Sequence, residues 1–170
     1  MEFKELVKLR KSIRKYAECQ IKQSDIDEII RCAQMAPSWK NTQTGRYYVS
    51  YSEEACDIVY KALPDFNQNS SKNAYYIVAT YKKGLSGQNS QEADLWGSYD
   101  LGLQNAYLVL MAKQMGSDTL IMGLRDVDAL RLYFNIPDDE IIMPVIAIGK
   151  ADQDPAPRPR KELNEILKIF

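Results

Sequence analysis

Histidine is absent from this 170-residue sequence, and its absence restricts the possible chemistry more than any residue that is present. Without imidazole the chain cannot build a Ser-His-Asp triad, a Cys-His pair or a histidine general base, and most catalytic zinc sites are excluded. An enzyme of this composition is expected to leave the difficult chemistry to a cofactor.

Cysteine is also scarce. The three cysteines, Cys19, Cys32 and Cys56, are odd in number and show no CxxC spacing. They therefore fit neither a disulfide framework nor a zinc site. We expect all three to be reduced and structural.

Neither sign of charge is in excess, and long apolar runs are missing. The 22 Lys and Arg residues against 23 Asp and Glu residues leave no overall field to attract nucleic acid or an anionic membrane. Any anion site must then be local. No segment has the length needed to cross a bilayer, and Met1 is followed by Glu2 and Lys4 rather than by a basic and then apolar leader. We therefore expect a cytoplasmic protein with no nucleic-acid or membrane partner.

The apolar pattern that is present predicts one domain over residues 1–170 of the α+β class. Helices are predicted around Phe3 to Val7, after a Ser24 cap, from a Ser52 cap to Pro64, over 95–115, over 127–134 and near the C-terminus. Strands are predicted over 46–50, 74–81, up to Met122 and over 141–148, with a polar loop before the second strand and a Gly-, Ser- and Asn-rich connection over 82–91 after it. Without βαβ alternation, GxGxxG or a Walker A motif, this order excludes a Rossmann domain and favours a central mixed sheet of four to five strands covered by helices.

The predicted helix over 95–115 is apolar on more than one side. Leu101, Tyr107, Leu108 and Leu110 are spread around its circumference. Helices of this kind are usually buried on several faces. In a domain this small, we expect burial against a second subunit as well as against the chain's own sheet.

Two basic segments near the ends of the chain are candidates for a phosphate site. If residues 10–15 are extended, Arg10, Ser12 and Arg14 project to the same side, and guanidinium groups match phosphate oxygens bidentately. Arg158 and Arg160 follow in a proline-stiffened tail that starts at Asp154. The two segments could converge on one anion, although each is also compatible with a solvated basic stretch.

A third segment, residues 36–44, is a loop between a predicted helix and a predicted strand. Ser38, Asn41 and Gln43 supply groups that hydrogen-bond the edges of flat heteroaromatic rings, and Trp39 supplies a ring that can stack. Ordinary turn chemistry explains Ser and Asn in a loop equally well. This segment therefore indicates a ligand only in combination with the others.

Taken in order, these segments resemble the nitroreductase family of flavoproteins. The family's Arg-[Arg/Lys]-Ser-x-Arg-x-[Phe/Tyr] start is matched by residues 10–16, and its Ala-Pro-Ser-x-x-Asn-x-Gln loop by residues 36–43. A small-residue turn that ends in Gly is matched by 121–123, a Pro-x-x-x-x-x-Gly strand by 144–149, and a late basic pair by Arg158 and Arg160. The resemblance spans essentially the entire chain.

The resemblance implies a homodimer of nitroreductase-like fold that exchanges its C-terminal segments and holds two FMN molecules at its interface. The residues implied for the FMN phosphate are Arg10, Ser12, Arg158 and Arg160. Those implied for the ribityl and pyrimidine side are Lys11 and Arg14, with Asn69 or Lys72 as a further contact, while Met122 and Gly123 would approach the ring. Those implied to come from the other subunit are Pro37, Ser38, Trp39, Asn41 and Gln43.

The activity implied by the resemblance is that of an FMN-dependent oxidoreductase. NADH or NADPH would reduce the flavin by hydride transfer, and a nitroaromatic, a quinone or a similar electrophilic small molecule would reoxidise it. No protein acid, base or metal is needed for this chemistry, and Arg14 would act as an electrostatic tuner of the flavin.

This sequence departs from the family at the loop. Thr44-Gly45-Arg46 stands where the family usually has Pro followed soon by an aromatic residue, and Trp39 and Lys40 replace small residues. Substrate choice therefore cannot be transferred from relatives. Two other functions remain open: a flavin-binding sensor or carrier without turnover, and an RNA-binding module that uses residues 8–15 and the eleven tyrosines, which the near-neutral charge disfavours.

Overall fold

The computed structural model describes residues 1–88 and 92–170. Helices α1 to α7 span Phe3–Leu9, Gln23–Gln34, Glu53–Lys61, Asp65–Ser71, Ala93–Gln114, Val127–Phe134 and Leu163–Ile166. A 3₁₀ turn covers Trp39–Asn41, and strands β1 to β4 span Gly45–Ser50, Tyr75–Lys82, Asp118–Met122 and Glu140–Gly149. The predicted α+β class is confirmed. Residues 89–91 of the expected connection lie outside the described residues.

The four strands form one sheet in the order β1-β2-β4-β3, and each neighbouring pair is antiparallel. A parallel pairing enters only as a single bridge between Ser12 and Thr119 in the described part of the chain. The mixed character expected of the sheet is thus limited to this one contact with the N-terminal segment.

The core lies on both faces of the sheet, because β2 and β4 are central and buried on each side. On one face Val78 packs with Val59 of α3 and Leu130 of α6. On the other face Ile77 packs with Ile29 of α2 and Leu108 of α5. A strand buried on both faces needs apolar residues at every position, which is why residues 74–81 read as an almost continuous apolar run.

One of the two helix N-caps predicted from the sequence is present, and the other is not. The Ser52 side chain accepts a hydrogen bond from the Ala55 amide, as predicted, and α3 begins there. The predicted Ser24 cap is wrong: α2 begins at Gln23, and its N-cap residue, Lys22, makes no side-chain cap. Amphipathic packing of the Ile29 face, rather than a cap, therefore sets where this helix lies.

The polar loop expected after Pro64 is also wrong, because residues 65–71 form α4. Two of its buried polar side chains have partners: the Asn67 amide donates to the Leu124 carbonyl at 2.9 Å, and the Ser71 hydroxyl donates to the Asn67 carbonyl at 2.7 Å. Buried polar groups with partners leave no apolar periodicity for sequence analysis to detect.

The long helix α5 runs across one face of the sheet, and it ends where Gly116 adopts a φ of +85°. Leu101, Leu108 and Ala112 face the sheet and are buried, whereas Trp96, Tyr99 and Tyr107 are exposed in the single chain. Within the described residues, no helix is both long and apolar enough to cross a membrane.

Candidate functional site

The N-terminal basic segment is extended, as predicted, and is fixed along the edge of the sheet. Ile13 is buried, and its amide donates to the Thr119 carbonyl at 3.0 Å. The Tyr16 hydroxyl donates to the Ile13 carbonyl at 3.0 Å, and its ring packs against Gly149, where a Cβ would lie 2.9 Å from Tyr16 Cδ1. Tyr16 and Gly149, which belong to two of the sequence motifs, therefore meet and hold this segment in place.

The same segment pairs with the start of the C-terminal tail. The Ala17 amide donates to the Lys150 carbonyl at 3.0 Å, and the Asp152 amide donates to the Lys15 carbonyl at 2.9 Å. Lys11 Nζ lies 2.6 Å from Asp154 Oδ1, and this ion pair lowers the pKa of the Asp154 carboxyl. Lys11 is thus engaged by the tail.

Arg158 and Arg160 lie beyond this anchored point and are exposed. In the described part of the chain, no hydrogen bond or ion pair joins either guanidinium to Arg10 or Ser12. The fold brings the root of the tail, residues 150–154, to the basic segment, whereas the convergence of Arg158 and Arg160 on that segment stays a prediction. The fold does not close a phosphate site within one chain.

A groove of about 700 Å³ opens between α5 and the ends of β3 and β4. One wall is the α5 face with Gly102, Ala106 and Val109, and the other wall includes Ile121 and Pro144. Volumes of 300 to 1,000 Å³ with mainly apolar walls are typical of cofactor pockets. Gly102 leaves open space on this wall, because a Cβ there would meet no atom within 4 Å.

Two arginines line this groove. The Arg10 guanidinium makes no hydrogen bond or ion pair with any described residue, and Arg125 has no carboxylate partner among them. Burial lowers the pKa of Arg125, but a guanidinium stays charged in proteins. A cleft of apolar walls with two uncompensated cations fits an anionic, partly aromatic ligand such as FMN.

The turn after β3 contributes its backbone rather than the Met122 side chain. Met122 is 3% exposed and packs in the core, whereas Ile121 and Gly123, its neighbours on either side, line the groove. Successive residues of a strand point to opposite faces, so Met122 cannot share the groove with Ile121. Gly123 occupies the position that the sequence motif indicated.

Other predicted residues lie beside the groove or away from it. Ser12 and Arg14 are exposed, and the Arg14 guanidinium donates to the Ser12 carbonyl at 3.5 Å. Asn69 and Lys72 are exposed on α4 and at its end. The Asn67 hydrogen bond to Leu124 places that helix next to the Gly123 turn.

The loop over residues 36–44 is tightly constrained, with positive φ angles at Lys40, Asn41 and Gln43 of 45°, 57° and 49°. Such conformations are uncommon for residues other than glycine, and they persist where surrounding contacts impose them. The Ser38 hydroxyl accepts from the Gln43 amide at 3.0 Å, and the Gln43 side chain donates to Asn41 Oδ1 at 3.3 Å. Pro37 is exposed beside them.

A buried carboxylate anchors this loop to α5. Asp100 is 2% exposed, and its Oδ2 accepts hydrogen bonds from the Trp39 amide at 3.0 Å and from the Ser86 hydroxyl. The Thr42 hydroxyl also lies 3.2 Å from Ser86 Oγ. None of the loop residues lines the groove of the same chain.

The structure explains part of the sequence differences between this loop and the nitroreductase motif. A Cβ at position 45 would lie 1.8 Å from Gln104 Oε1, so glycine permits the close approach of β1 to α5. Lys40 Nζ sits 4.6 Å from the centre of the Trp39 ring, a cation–π contact that places both side chains together at the loop tip.

Sequence analysis missed Arg125 and Asp100. Asp100 carried no motif, and its role depends on Trp39 and Ser86, which are distant in sequence. Arg125 directly follows the Gly123 turn, so its position next to a motif was an available signal. The three cysteines are free, and the described residues include no group of three acidic or cysteine side chains arranged to hold a metal ion.

Comparison with known proteins agrees with this geometry. The sequence model of the nitroreductase family matches residues 7–83. A curated relative from Archaeoglobus fulgidus, named as a candidate NADH dehydrogenase/NAD(P)H nitroreductase, is 26% identical over 148 residues, which cover 85% of this chain and 82% of the relative.

Solved structures extend the match over the whole fold. A candidate nitroreductase from Exiguobacterium sibiricum, in complex with FMN, has a TM-score of 0.89 at 26% identity, over 100% of this chain and 98% of that one. A nitroreductase family protein from Clostridium novyi has a TM-score of 0.81 at 26% identity, over 89% of this chain and 86% of that one. The resemblance expected from the sequence is therefore confirmed: the chain matches the sequence model of the nitroreductase family over residues 7–83, and its fold is similar to that of the Exiguobacterium protein over its full length.

Proposed function

We propose that this protein is an FMN-dependent oxidoreductase that takes reducing equivalents from NADH or NADPH and passes them to an electrophilic small molecule, such as a nitroaromatic or a quinone. The observation that carries the proposal is the groove beside α5, which combines mainly apolar walls with two arginines that have no carboxylate partner among the described residues. The similar Exiguobacterium structure contains FMN. An anionic flavin would supply the missing negative charge.

Arg10, Ser12, Arg158 and Arg160 are the residues proposed to hold the FMN phosphate. Arg10 is half-buried at the groove, its guanidinium has no bond to any described residue, and the tail is anchored nearby through Lys11 and Asp154. Because the two late arginines are exposed in the single chain, ligand binding or dimerisation would order the tail around the anion. Guanidinium groups suit this task because they bind phosphate bidentately.

The active form is proposed to be a homodimer in which C-terminal segments are exchanged. Leu163, Ile166, Ile169 and Phe170 are at least 65% exposed in the single chain. Trp96, Tyr99 and Phe3 add exposed apolar surface on α5 and α1. Large apolar patches of this kind mark interaction surfaces. Residues 37–43 lie outside the groove of their own chain, and in a dimer they would reach the groove of the other copy.

FMN, when bound, supplies hydride acceptance and hydride donation. The chain's own residues would bind and orient the ligand. The arginines would bind its negatively charged groups, the Gly123 turn and the α5 face would shape the cleft, and the apolar walls would exclude water. With no histidine in the sequence, the acceptor's proton would come from solvent. The loop tip of Trp39 and Lys40 is the proposed determinant of which acceptor fits.

The first experiment identifies the ligand that the purified protein releases, by absorbance and mass spectrometry. Apoprotein is then titrated with FMN and with riboflavin. Arg10→Ala, Arg158→Ala and Arg160→Ala should each weaken FMN by about 1.5 to 3 kcal/mol, the scale of a hydrogen bond to a charged group, and should leave riboflavin unchanged. Arg31→Ala, on the exposed side of α2, is the matched control and should bind FMN like the wild type.

Equal affinity of the wild type for FMN and riboflavin would rule out the phosphate site. The rival function is a flavin-binding sensor or carrier without turnover. Mixing the FMN-loaded protein with NADH or NADPH distinguishes it from the enzyme. Rapid loss of the flavin's visible absorbance, recovered on adding a quinone or nitroaromatic, supports the enzyme. A flavin that stays oxidised supports the carrier.

A further inference from the structure

Arg125 links the two strand ends that form one wall of the groove. Its Nη1 donates to the carbonyl of Gly123, two residues earlier, and its Nη2 donates to the carbonyl of Ile142 on β4. A planar guanidinium that bonds two carbonyls is held in a fixed orientation. The Gly123 turn is therefore tied to β4 by this one side chain.

The Arg125 guanidinium bonds to carbonyl groups but has no carboxylate partner among the described residues. In the described part of the chain it forms no ion pair, and its Nε is buried without a hydrogen-bond partner. The neighbouring carboxylate, Asp126, accepts from the Ala129 amide as the cap of α6. A partly buried cation beside apolar walls acts strongly on a ligand in the groove, because the local dielectric is lower than that of water.

Arg14, the tuner that the family resemblance implied, has a different setting. Its side chain is exposed, it does not line the groove, and its described bond is to the Ser12 carbonyl of its own segment. Charges in solvent are screened by water and salt. Arg125 is the better-placed cation of the two.

We propose that Arg125 is a positioning residue with an electrostatic effect: it holds the Gly123 turn against β4, and its charge makes reduction of the bound flavin more favourable. This inference rests on the proposed function. A hydride carries two electrons and one proton from the dihydronicotinamide, which leaves as oxidised nicotinamide, so the neutral flavin ring gains one negative charge. A fixed cation in the groove stabilises that added charge.

The test measures the midpoint potential of the FMN-loaded protein by equilibration with a reference dye, together with FMN affinity. Arg125→Met removes the charge and both carbonyl bonds, and should lower the equilibrium constant for reduction at least tenfold, about 30 mV for a two-electron couple. Arg125→Gln keeps a hydrogen-bond donor without the charge and should shift the potential in the same direction. Arg125→Lys keeps the charge and loses the planar fork, so it should change the equilibrium constant less than threefold and still weaken FMN.

Arg31→Met, on the exposed side of α2, is the control, and its potential should remain within threefold of the wild type in equilibrium constant. Arg14→Met is the comparison variant and should shift the potential less than Arg125→Met. An unchanged potential in both Arg125→Met and Arg125→Gln, or a larger shift in Arg14→Met than in either, overturns the proposal. Wild-type protein that fails to bind FMN refutes the proposed function instead, before any variant is compared. A low FMN affinity in Arg125→Met is overcome by an excess of protein over FMN, at which all the measured flavin is bound.

Discussion

Glu140 is a buried carboxylate in the sheet, only 5% exposed, with no described cation paired to its side chain. Its Oε2 accepts from the Tyr48 hydroxyl at 2.9 Å and from the Thr80 hydroxyl at 2.5 Å. Each donor stabilises the negative charge that burial disfavours. Burial, together with the carboxylate, raises the pKa of Tyr48 to about 12.

Tyr48→Phe should lower the free energy of unfolding by about 1 to 2 kcal/mol at pH 7, because the buried carboxylate loses one donor. The folded-state pKa of Tyr48 lies above its ordinary value of 10.0, so its contribution is complete below pH 10 and is lost as the pH rises towards 12. Urea unfolding at pH 7, 10 and 12 should show a shallower alkaline loss in Tyr48→Phe than in the wild type. Tyr60→Phe, whose hydroxyl has no described partner, serves as the control, and an equal loss in it would argue against the network.

At the scale of the element, α5 determines both the packing and the groove through its small residues. A Cβ at Gly97 would lie 2.5 Å from Cδ2 of the buried Tyr81 ring, whereas a Cβ at Gly102 would meet nothing within 4 Å. The two glycines of this helix therefore have different structural roles. One allows contact with the sheet, and the other widens the groove.

Gly97→Ala should destabilise the protein by about 1 to 3 kcal/mol, since the rigid Tyr81 ring has to shift. Gly102→Ala should be neutral or stabilising by up to about 1 kcal/mol in the ligand-free protein, because alanine favours the helix. Urea unfolding of both apoproteins checks the pair. Similar losses in the two variants would mean that helix propensity or dimer packing, rather than the Tyr81 contact, dominates.

The loop anchored by Asp100 is the second prediction at this scale. Asp100→Ala removes the acceptor for the Trp39 amide and the Ser86 hydroxyl, which should cost about 1 to 3 kcal/mol and release the positive-φ conformations of Lys40, Asn41 and Gln43. Hydrogen exchange of the Trp39 to Gln43 amides should become faster, with Trp39 fluorescence shifted to the red. Asp57→Ala, which breaks an exposed ion pair with Lys61, should change stability by less than about 0.5 kcal/mol and leave loop exchange unaltered.

At the scale of the whole molecule, the tail from residue 155 onwards crosses no described part of its own core, and residues 158–170 are all exposed. A single chain that leaves Ile169 and Phe170 in water has apolar surface without a partner. These apolar residues belong to the same tail as Arg158 and Arg160, which follows the anchored Asp154. Dimer formation and completion of the phosphate site would then be coupled through one segment.

Deleting residues 163–170 should therefore shift the protein from dimer to monomer, as measured by light scattering during size-exclusion chromatography, while circular dichroism shows the sheet intact. FMN affinity should fall with the dimer, because the late arginines lose their fixed position. Leu132→Ala, at an 81% exposed apolar residue on α6, is the control and should remain dimeric. A deletion variant that stays dimeric and binds FMN normally contradicts the exchanged-tail proposal.

The sequence by itself determined the elements with local signals. Ser52 caps its helix, the apolar run predicted as a strand over 74–81 lies almost entirely within β2 and is buried on both faces, and Val127–Phe134 is a helix with the predicted bounds. The resemblance to the nitroreductase family could also be recognised from the sequence, because each motif of that family consists of neighbouring residues. These features depend on short-range capping and periodicity, which the chain order preserves.

Only the tertiary structure decided which distant groups meet. Helix α4 exists because Asn67 finds the Leu124 carbonyl, the loop over 36–44 is held because Trp39 and Ser86 reach Asp100, and Met122 enters the core while Gly123 lines the groove. That Arg125 bonds to two carbonyls and to no described carboxylate likewise depends on its surroundings. Desolvation and hydrogen-bond satisfaction depend on three-dimensional packing, so no local pattern encodes them.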